Sequence, residues 1–361
     1  MGGDHAPGAN LEGALQALPD LEGELVLVAN PKVLAAYLSR RRYRKLAQAI
    51  EEGTSRKGCQ VRVVIADEKI EMEDSIRAIR SKPGASINVG CRMASEDWKA
   101  KIPSAFISAG HSGAMMASAL LNMGRIPGAE RPAIAVTLPT LSEKGCVLLD
   151  VGANVDCKPE HLRDFALMGA LFAQADRNPG DLPRVGVLAN GEERSKGNEL
   201  TRAAAILIEN HPAFMQGSSK AVGKFLGYSE GKEIFKGSVD VVVTDGFVGN
   251  VVLKSLEGLG SAVVHILKKE AKSSPLTIAG FLLSAKVFRN LKRKLDYAEY
   301  GAAPLLGVAG YAFICHGRSN AKAVKNALLR TQTAVRSRFV ERLEAALAQA
   351  SQKRIPDTVI S

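Results

Sequence analysis

Four stretches of the 361-residue chain are rich in small residues, in patterns that suit a bound anion. The first is Ser108-Ala109-Gly110-His111-Ser112-Gly113-Ala114. The second is Asp150-Val151-Gly152-Ala153-Asn154-Val155-Asp156. The third runs from Ala189 through Asn190, Gly191 and Lys196 to Glu199, and the fourth is Thr244-Asp245-Gly246-Phe247-Val248-Gly249-Asn250. Glycine and serine let backbone approach a ligand closely. A helix that starts just afterwards aims free N–H groups and its positive dipole end at negative charge. Ser112 is expected to cap the helix after the first stretch. Lys196, between Ser195 and Gly197, is a cation at a helix entrance, and Asn250 offers an amide donor. His316, Gly317 and Ser319 form a fifth, weaker group, and Asp4 and His5 lie in a glycine-rich start. Any one of these stretches could equally be a tight turn, with Asp245 or Asn250 as a helix cap. Four together favour an anion site.

Missing motifs narrow the chemistry. There is no G-x-S-x-G nucleophile elbow, no G-x-G-x-x-G after a strand and no G-x-x-x-x-G-K-[ST]. The six histidines show no H-E-x-x-H spacing, and the five cysteines form no C-x-x-C pair. Neither a metal nor an organic cofactor is expected, and the odd, scattered cysteines suit a reducing, cytoplasmic compartment. Cys157 lies beside a motif without a base to activate it and reads as structural.

These loops need strands to hold them. Short apolar runs at Leu25–Val28, Val61–Ile65, Ala105–Ile107, Ala133–Val136, Val147–Leu149, Val185–Leu188 and Val239–Val243 read as buried strands. Helical patterns separate most of them, as at Ser112–Leu121, His161–Ala175 and Leu200–Glu209. Strand and helix in alternation predict an α/β protein with a mostly parallel sheet covered on both faces. In such sheets ligands sit beyond the carboxyl ends of the strands, so the four loops are expected along one sheet edge. One domain is expected to span residues 1–361.

A basic region stands apart. Pro275 to Leu295 carries Lys286, Arg289, Lys292, Arg293 and Lys294 without an acidic residue. Leu283, Val287, Leu291 and Leu295 recur at helical spacing beside Phe281 and Phe288. The apolar start, with Leu276, Ile278, Phe281, Leu282 and Leu283, is too short to span a bilayer. Its polybasic shoulder suits a helix lying on an anionic membrane surface. The net charge of +11 also implies an anionic partner. Nucleic acid is disfavoured, because few aromatic residues interleave with the basic run. Lys322 to Ala350 predicts a final helix or two.

Together these strings resemble the PlsX family of acyl-carrier-protein–phosphate transacylases. The match also takes in Met1-Gly2-Gly3-Asp4-His5-Ala6-Pro7, Gly124-Arg125-Ile126-Pro127-Gly128 with Glu130-Arg131-Pro132-Ala133, and Lys196-Gly197-Asn198-Glu199-Leu200-Thr201. Tyr300-Gly301 with Pro304-Leu305-Leu306-Gly307 and His316-Gly317 with Ser319-Asn320-Ala321 complete it. The resemblance implies a three-layer, Rossmann-like α/β/α fold akin to phosphate acetyltransferases and isopropylmalate dehydrogenase, with a projecting helical pair over 261–296. It implies transfer of an acyl group from acyl carrier protein to inorganic phosphate, feeding glycerophospholipid synthesis, by a homodimer held peripherally at the inner face of the cell membrane. Phosphate attacking a thioester needs cations and N–H donors more than a triad. Lys196 then holds phosphate or the oxyanion, Asn250 donates to the thioester oxygen, and Asp245 orients one of them. Ser108, Gly110, His111, Ser112, Gly113, Asn154, His316 and Ser319 would line the phosphate pocket. Short-chain transfer from coenzyme A and an inactive membrane scaffold are the alternatives. Two departures stand out. His111-Ser112 replaces the usual Asn-Thr, and the strand and Asp-Ala pair that ordinarily precede Met-Gly-Gly-Asp are expected to be missing, through a late start or a truncation. Neighbouring strand edges would then be exposed.

Overall fold

The run Cys146-Val147-Leu148-Leu149 has nothing to offer water on either face, and all four residues are buried. It is a central strand of a sheet covered on both sides, as near-continuous apolar runs require. The computed structural model describes residues 2–71, 73–74, 77–142, 144–175, 177–178, 180–289 and 301–351. Leu291, Lys292, Arg293, Lys294, Leu295 and Tyr300 lie outside the described residues.

The strands are β1 (Glu24–Ala29), β2 (Gln60–Ile65), β3 (Ala105–Ser108), β4 (Ala133–Leu138), β5 (Cys146–Leu149), β6 (Arg184–Leu188), β7 (Lys224–Ser229), β8 (Val241–Val243), β9 (Ala302–Leu306) and β10 (Tyr311–Cys315). β1 and β2 form a parallel pair, and the others form one sheet in the order β3-β10-β9-β4-β5-β8-β6-β7. Five of the eight pairings are parallel; β10–β9, β9–β4 and β4–β5 are antiparallel. The links 139–145 and 307–310 are too short for a parallel crossover, which takes a dozen or more residues. Direction therefore reverses between β4 and β5. Loops after β5, β8 and β6 leave one edge of the sheet, and those after β3 and β10 leave the opposite edge. This corrects the expectation that all four loops share an edge.

The helices are α1 (Gly8–Ala17), α2 (Pro31–Leu38), α3 (Arg44–Glu51), α4 (Ala78–Ser81), α5 (Ser86–Lys99), α6 (Ser112–Asn122), α7 (Pro159–Gln174), α8 (Glu199–Glu209), α9 (Glu233–Lys236), α10 (Gly246–Ala271), α11 (Pro275–Leu283), α12 (Ala321–Ser337) and α13 (Phe339–Ser351). On one face α7, α8 and α13 pack on alternate side chains such as Ala133, Ala135, Val185 and Val241. On the other, α9 and α10 cover Leu148 and Val242, while α5 and α6 cover Ala312 and Ile314. The result is the expected three-layer α/β/α arrangement. Layers touch closely: a Cβ on Gly169 of α7 would lie 2.5 Å from Val241 Cγ1.

Two features bear on function. First, every residue of β1 and of β3 lines a shared cavity of about 840 Å³. The facing edges of the two sheets are thus bare toward each other. Second, α10 starts against the sheet, where Gly246 and Gly249 are buried, and then runs outward. Its 26 residues reach about 39 Å. It passes unbroken through position 261, and α11 buries no residue at all. By length and composition alone α10 is long and apolar enough to cross a membrane.

Candidate active site

The loop after β5 is organised by one carboxylate. Asp150 is fully buried. Its Oδ1 accepts from the N–H groups of Ile134 at 3.0 Å, Gly152 at 3.2 Å and Ala153 at 3.0 Å. Its Oδ2 accepts from Asn154 N at 2.7 Å and Asn154 Nδ2 at 2.9 Å. Burial pushes this carboxyl above its usual range, against the opposing pull of the N–H donors. Asn154 Nδ2 also donates to Pro132 O at 2.7 Å, so this amide is engaged within the protein. Asn154 O accepts from Gly246 N at 2.7 Å, which ties the loop to the start of α10. A Cβ on Gly249 would come within 1.8 Å of Asp150 O, so only glycine fits there.

Asp245 caps α10 by accepting from Val248 N at 2.9 Å. Asn250, one turn later, is exposed and lines a second cavity of about 1100 Å³. Lys254 and Glu257 follow it on the same helical stripe and line the same cavity. Glu257 Oε2 lies 2.9 Å from Lys254 Nζ and 3.8 Å from His316 Nε2. Through these contacts α10 connects the two opposite sheet edges. From the β3 and β10 side the cavity receives Gly110, Ser112, His316 and Gly317, and Asp4 also reaches it.

The cap of α6 is His111, whose Nδ1 accepts from Ala114 N at 3.1 Å. Ser112 is instead the first residue of the helix, with its side chain exposed. This corrects the capping expectation. An imidazole nitrogen accepts as an amide oxygen would, which leaves Ser112 exposed on the cavity wall. Gly113, in the same first turn, is half-buried. Ser108 Oγ accepts from Gly110 N at 3.2 Å, and Ser108, Gly110 and His111 line the cavity between β1 and β3. Gly110 thus borders both cavities. His316 Nδ1 accepts from Arg318 N at 3.1 Å. Ser319 is buried, and its Oγ has no hydrogen-bond partner.

Lys196 is exposed and lies outside the cavity wall, on the loop after β6. That loop is firmly shaped. Gly197 has φ +81° and donates its N–H to Asn190 Oδ1 at 2.9 Å. A Cβ on Gly191 would meet Lys196 Cγ at 2.6 Å, so glycine makes room for the lysine stem. β6 and β8 are neighbours, so Lys196 and Asn250 leave the same sheet edge. The structure therefore gathers Ser112, Gly110, Asn250 and His316 at one cavity. It places Lys196 and Asp245 nearer the opposite edge, and holds Asn154 inside its loop. Asp150, Lys254 and Glu257 were not singled out by type, although their spacing from Asn154 and Asn250 was legible. Cys157 is half-buried, burial pushes its thiol up to about 12, and its Sγ donates to Asn154 O at 3.7 Å. Its structural reading accords with this setting.

A family model described as "Fatty acid synthesis protein" matches residues 1–342. The phosphate acyltransferase of Citrifermentans bemidjiense is 46% identical over 329 residues, 91% of this chain and 85% of that one. That of Thermodesulfovibrio yellowstonii is 42% identical over 355 residues, 98% of this chain and 94% of that one. Among solved structures, the EutD phosphotransacetylase from Staphylococcus aureus matches with a TM-score of 0.51 at 14% identity, over 92% of both chains, which shows a shared fold. On its sequence this chain belongs to the fatty acid synthesis protein family, the PlsX family of phosphate acyltransferases.

Proposed function

We propose that this protein transfers a long acyl group from acyl carrier protein to inorganic phosphate, yielding acyl phosphate for glycerophospholipid synthesis. One observation supports this most: the cavity joins a polar mouth at Ser112, Asn250 and His316 to an apolar wall formed by β4 and α10. Phosphate binds at the entrance of α6, where the free N–H groups of the first turn favour an anion. A phosphate oxygen attacks the thioester carbonyl carbon, and the carbonyl oxygen becomes an oxyanion. Asn250 Nδ2 donates to that oxyanion. The carbon–sulfur bond then breaks, and the carrier leaves as a thiolate that takes a proton from water. Lys196 swings its flexible stem toward phosphate or the oxyanion, and Ser108, Gly110, His111, Gly113, Asn154 and Ser319 shape the pocket. Asp245 fixes the start of α10 and so the aim of Asn250.

The same reading puts the protein on an anionic membrane surface as a homodimer. Leu276, Ile278, Leu282 and Leu283 on α11 are exposed, and Lys286 and Arg289 follow them. Phe281 and Phe288 stack with ring centroids 4.2 Å apart and are half-buried against each other. The test is phosphate-dependent release of free carrier from palmitoyl-carrier protein. Release by this chain and at least about a hundredfold less by Lys196→Ala is expected, the loss typical of one oxyanion donor. No release by the wild-type chain would sink the transfer reading.

A further inference from the structure

The polar mouth occupies one end of the cavity, and the apolar wall runs from it toward the other. That end is a groove between Ile134, Val136 and Leu138 of β4 and Leu253, Leu256 and Gly260 of α10. Phe235 packs beside these residues, so this part of the wall is mainly apolar, while Thr137, Lys254 and Glu257 line the same cavity nearer Asn250's stripe. Gly258 and Gly260 of α10 both face open space, and of the two Gly260 lines the cavity. A glycine inside a helix costs about 1 kcal/mol relative to alanine. Here it makes no close contact to justify that cost: a Cβ added at Gly260 meets no atom within 4 Å. Gly249 of the same helix is the opposite case, because Asp150 forbids any side chain there.

We infer that Gly260 sets the chain-length limit of an acyl-binding groove, which it does by leaving open the space a side chain would fill. The inference rests on the acyl-transfer reading for what sits at the mouth. Its geometry can be scaled. Gly260 lies ten residues beyond Asn250, about 15 Å along the helix axis. An extended chain advances roughly 1.2 Å per bond. An acyl chain whose thioester carbon sits at Asn250 therefore reaches Gly260 at about its thirteenth carbon. An eight-carbon chain stops short of that point, and a sixteen-carbon chain passes it toward Val263, which lines the far end.

The test offers octanoyl- and palmitoyl-carrier protein, with inorganic phosphate, to the wild-type chain, Gly260→Phe and Gly260→Ala. For Gly260→Phe, kcat/KM with the palmitoyl donor is expected to fall at least about tenfold and with the octanoyl donor to stay within about twofold, a discrimination within reach of apolar pockets. Gly260→Ala should leave most of the palmitoyl activity. Equal loss with both donors, or loss with neither, overturns the groove. A wild-type chain that turns over neither donor sinks the transfer reading instead. Calorimetry with palmitate then decides the groove by itself: binding that weakens in Gly260→Phe supports it, and unchanged or absent binding overturns it. Light scattering closes the remaining route. If Gly260→Phe alters the oligomeric state, the open space belongs to a second copy of the chain and the inference fails.

Discussion

The two ends of α10 obey opposite rules. At its start, polar groups are buried and fully engaged: Asp150 holds five N–H donors and Gly249 packs against its backbone. At its far end and in α11, apolar groups face outward: Leu276 is 83% exposed and Leu283 90%. A buried carboxylate survives only when it is satisfied. An exposed leucine cluster loses stabilisation that only another surface can restore. The first region satisfies its polar groups internally, and the second leaves apolar side chains open to solvent.

The sharpest way to break this comparison is at Asp150. Asp150→Ala leaves its donors unpaired beneath the loop and should cost about 4 kcal/mol of stability. Chemical denaturation reads this directly. A loss under about 1 kcal/mol would mean that the loop is held by packing alone. The outer region should behave in the contrary way. Leu276→Asp with Leu283→Asp should change stability little, since both side chains already face solvent. Binding to anionic vesicles, measured by flotation, should weaken by about a hundredfold, the effect of keeping two leucines in water. Undiminished flotation would detach the membrane reading from α11. The smallest effect is expected at the other sheet edge. His111→Ala removes the acceptor for Ala114 N and should cost about 1 kcal/mol. His111→Asn, which restores an accepting cap, should recover it.

Much of the fold was legible because buried strands carry their own signal. Val147–Leu149 and Val185–Leu188 have no competing helical period, and both are strands. The strands that escaped have physical reasons. β9 reads Ala-Ala-Pro-Leu-Leu, in which Pro304 weakens the pattern, and β7 contains Gly227 beside a register shift. β10 reads Tyr-Ala-Phe-Ile-Cys, in which a single β-branched residue leaves no aliphatic run to mark it. Missing β9 hid the reversal of direction, although the seven-residue link between β4 and β5 already excluded a parallel crossover. The site was legible as a set of loops and not as an arrangement. Residue type pointed to Ser112, Asn250 and His316. Only α10, laid diagonally from one edge toward the other, brings them to one cavity. Asp150 was legible as the head of its loop and was given no role, because its role lies in what it holds and not in what it faces.

α10 is one helix with one axis. Any contact that tilts its outer half also swings the carboxamide of Asn250. Linked equilibria are reciprocal: if docking at the far end changes affinity in the cavity by some factor, a ligand in the cavity changes docking by the same factor. A rod anchored at Asp150 and bare at Ile266 thereby joins ligand binding in the cavity and any docking at the far end in one coupling free energy, observed from two places.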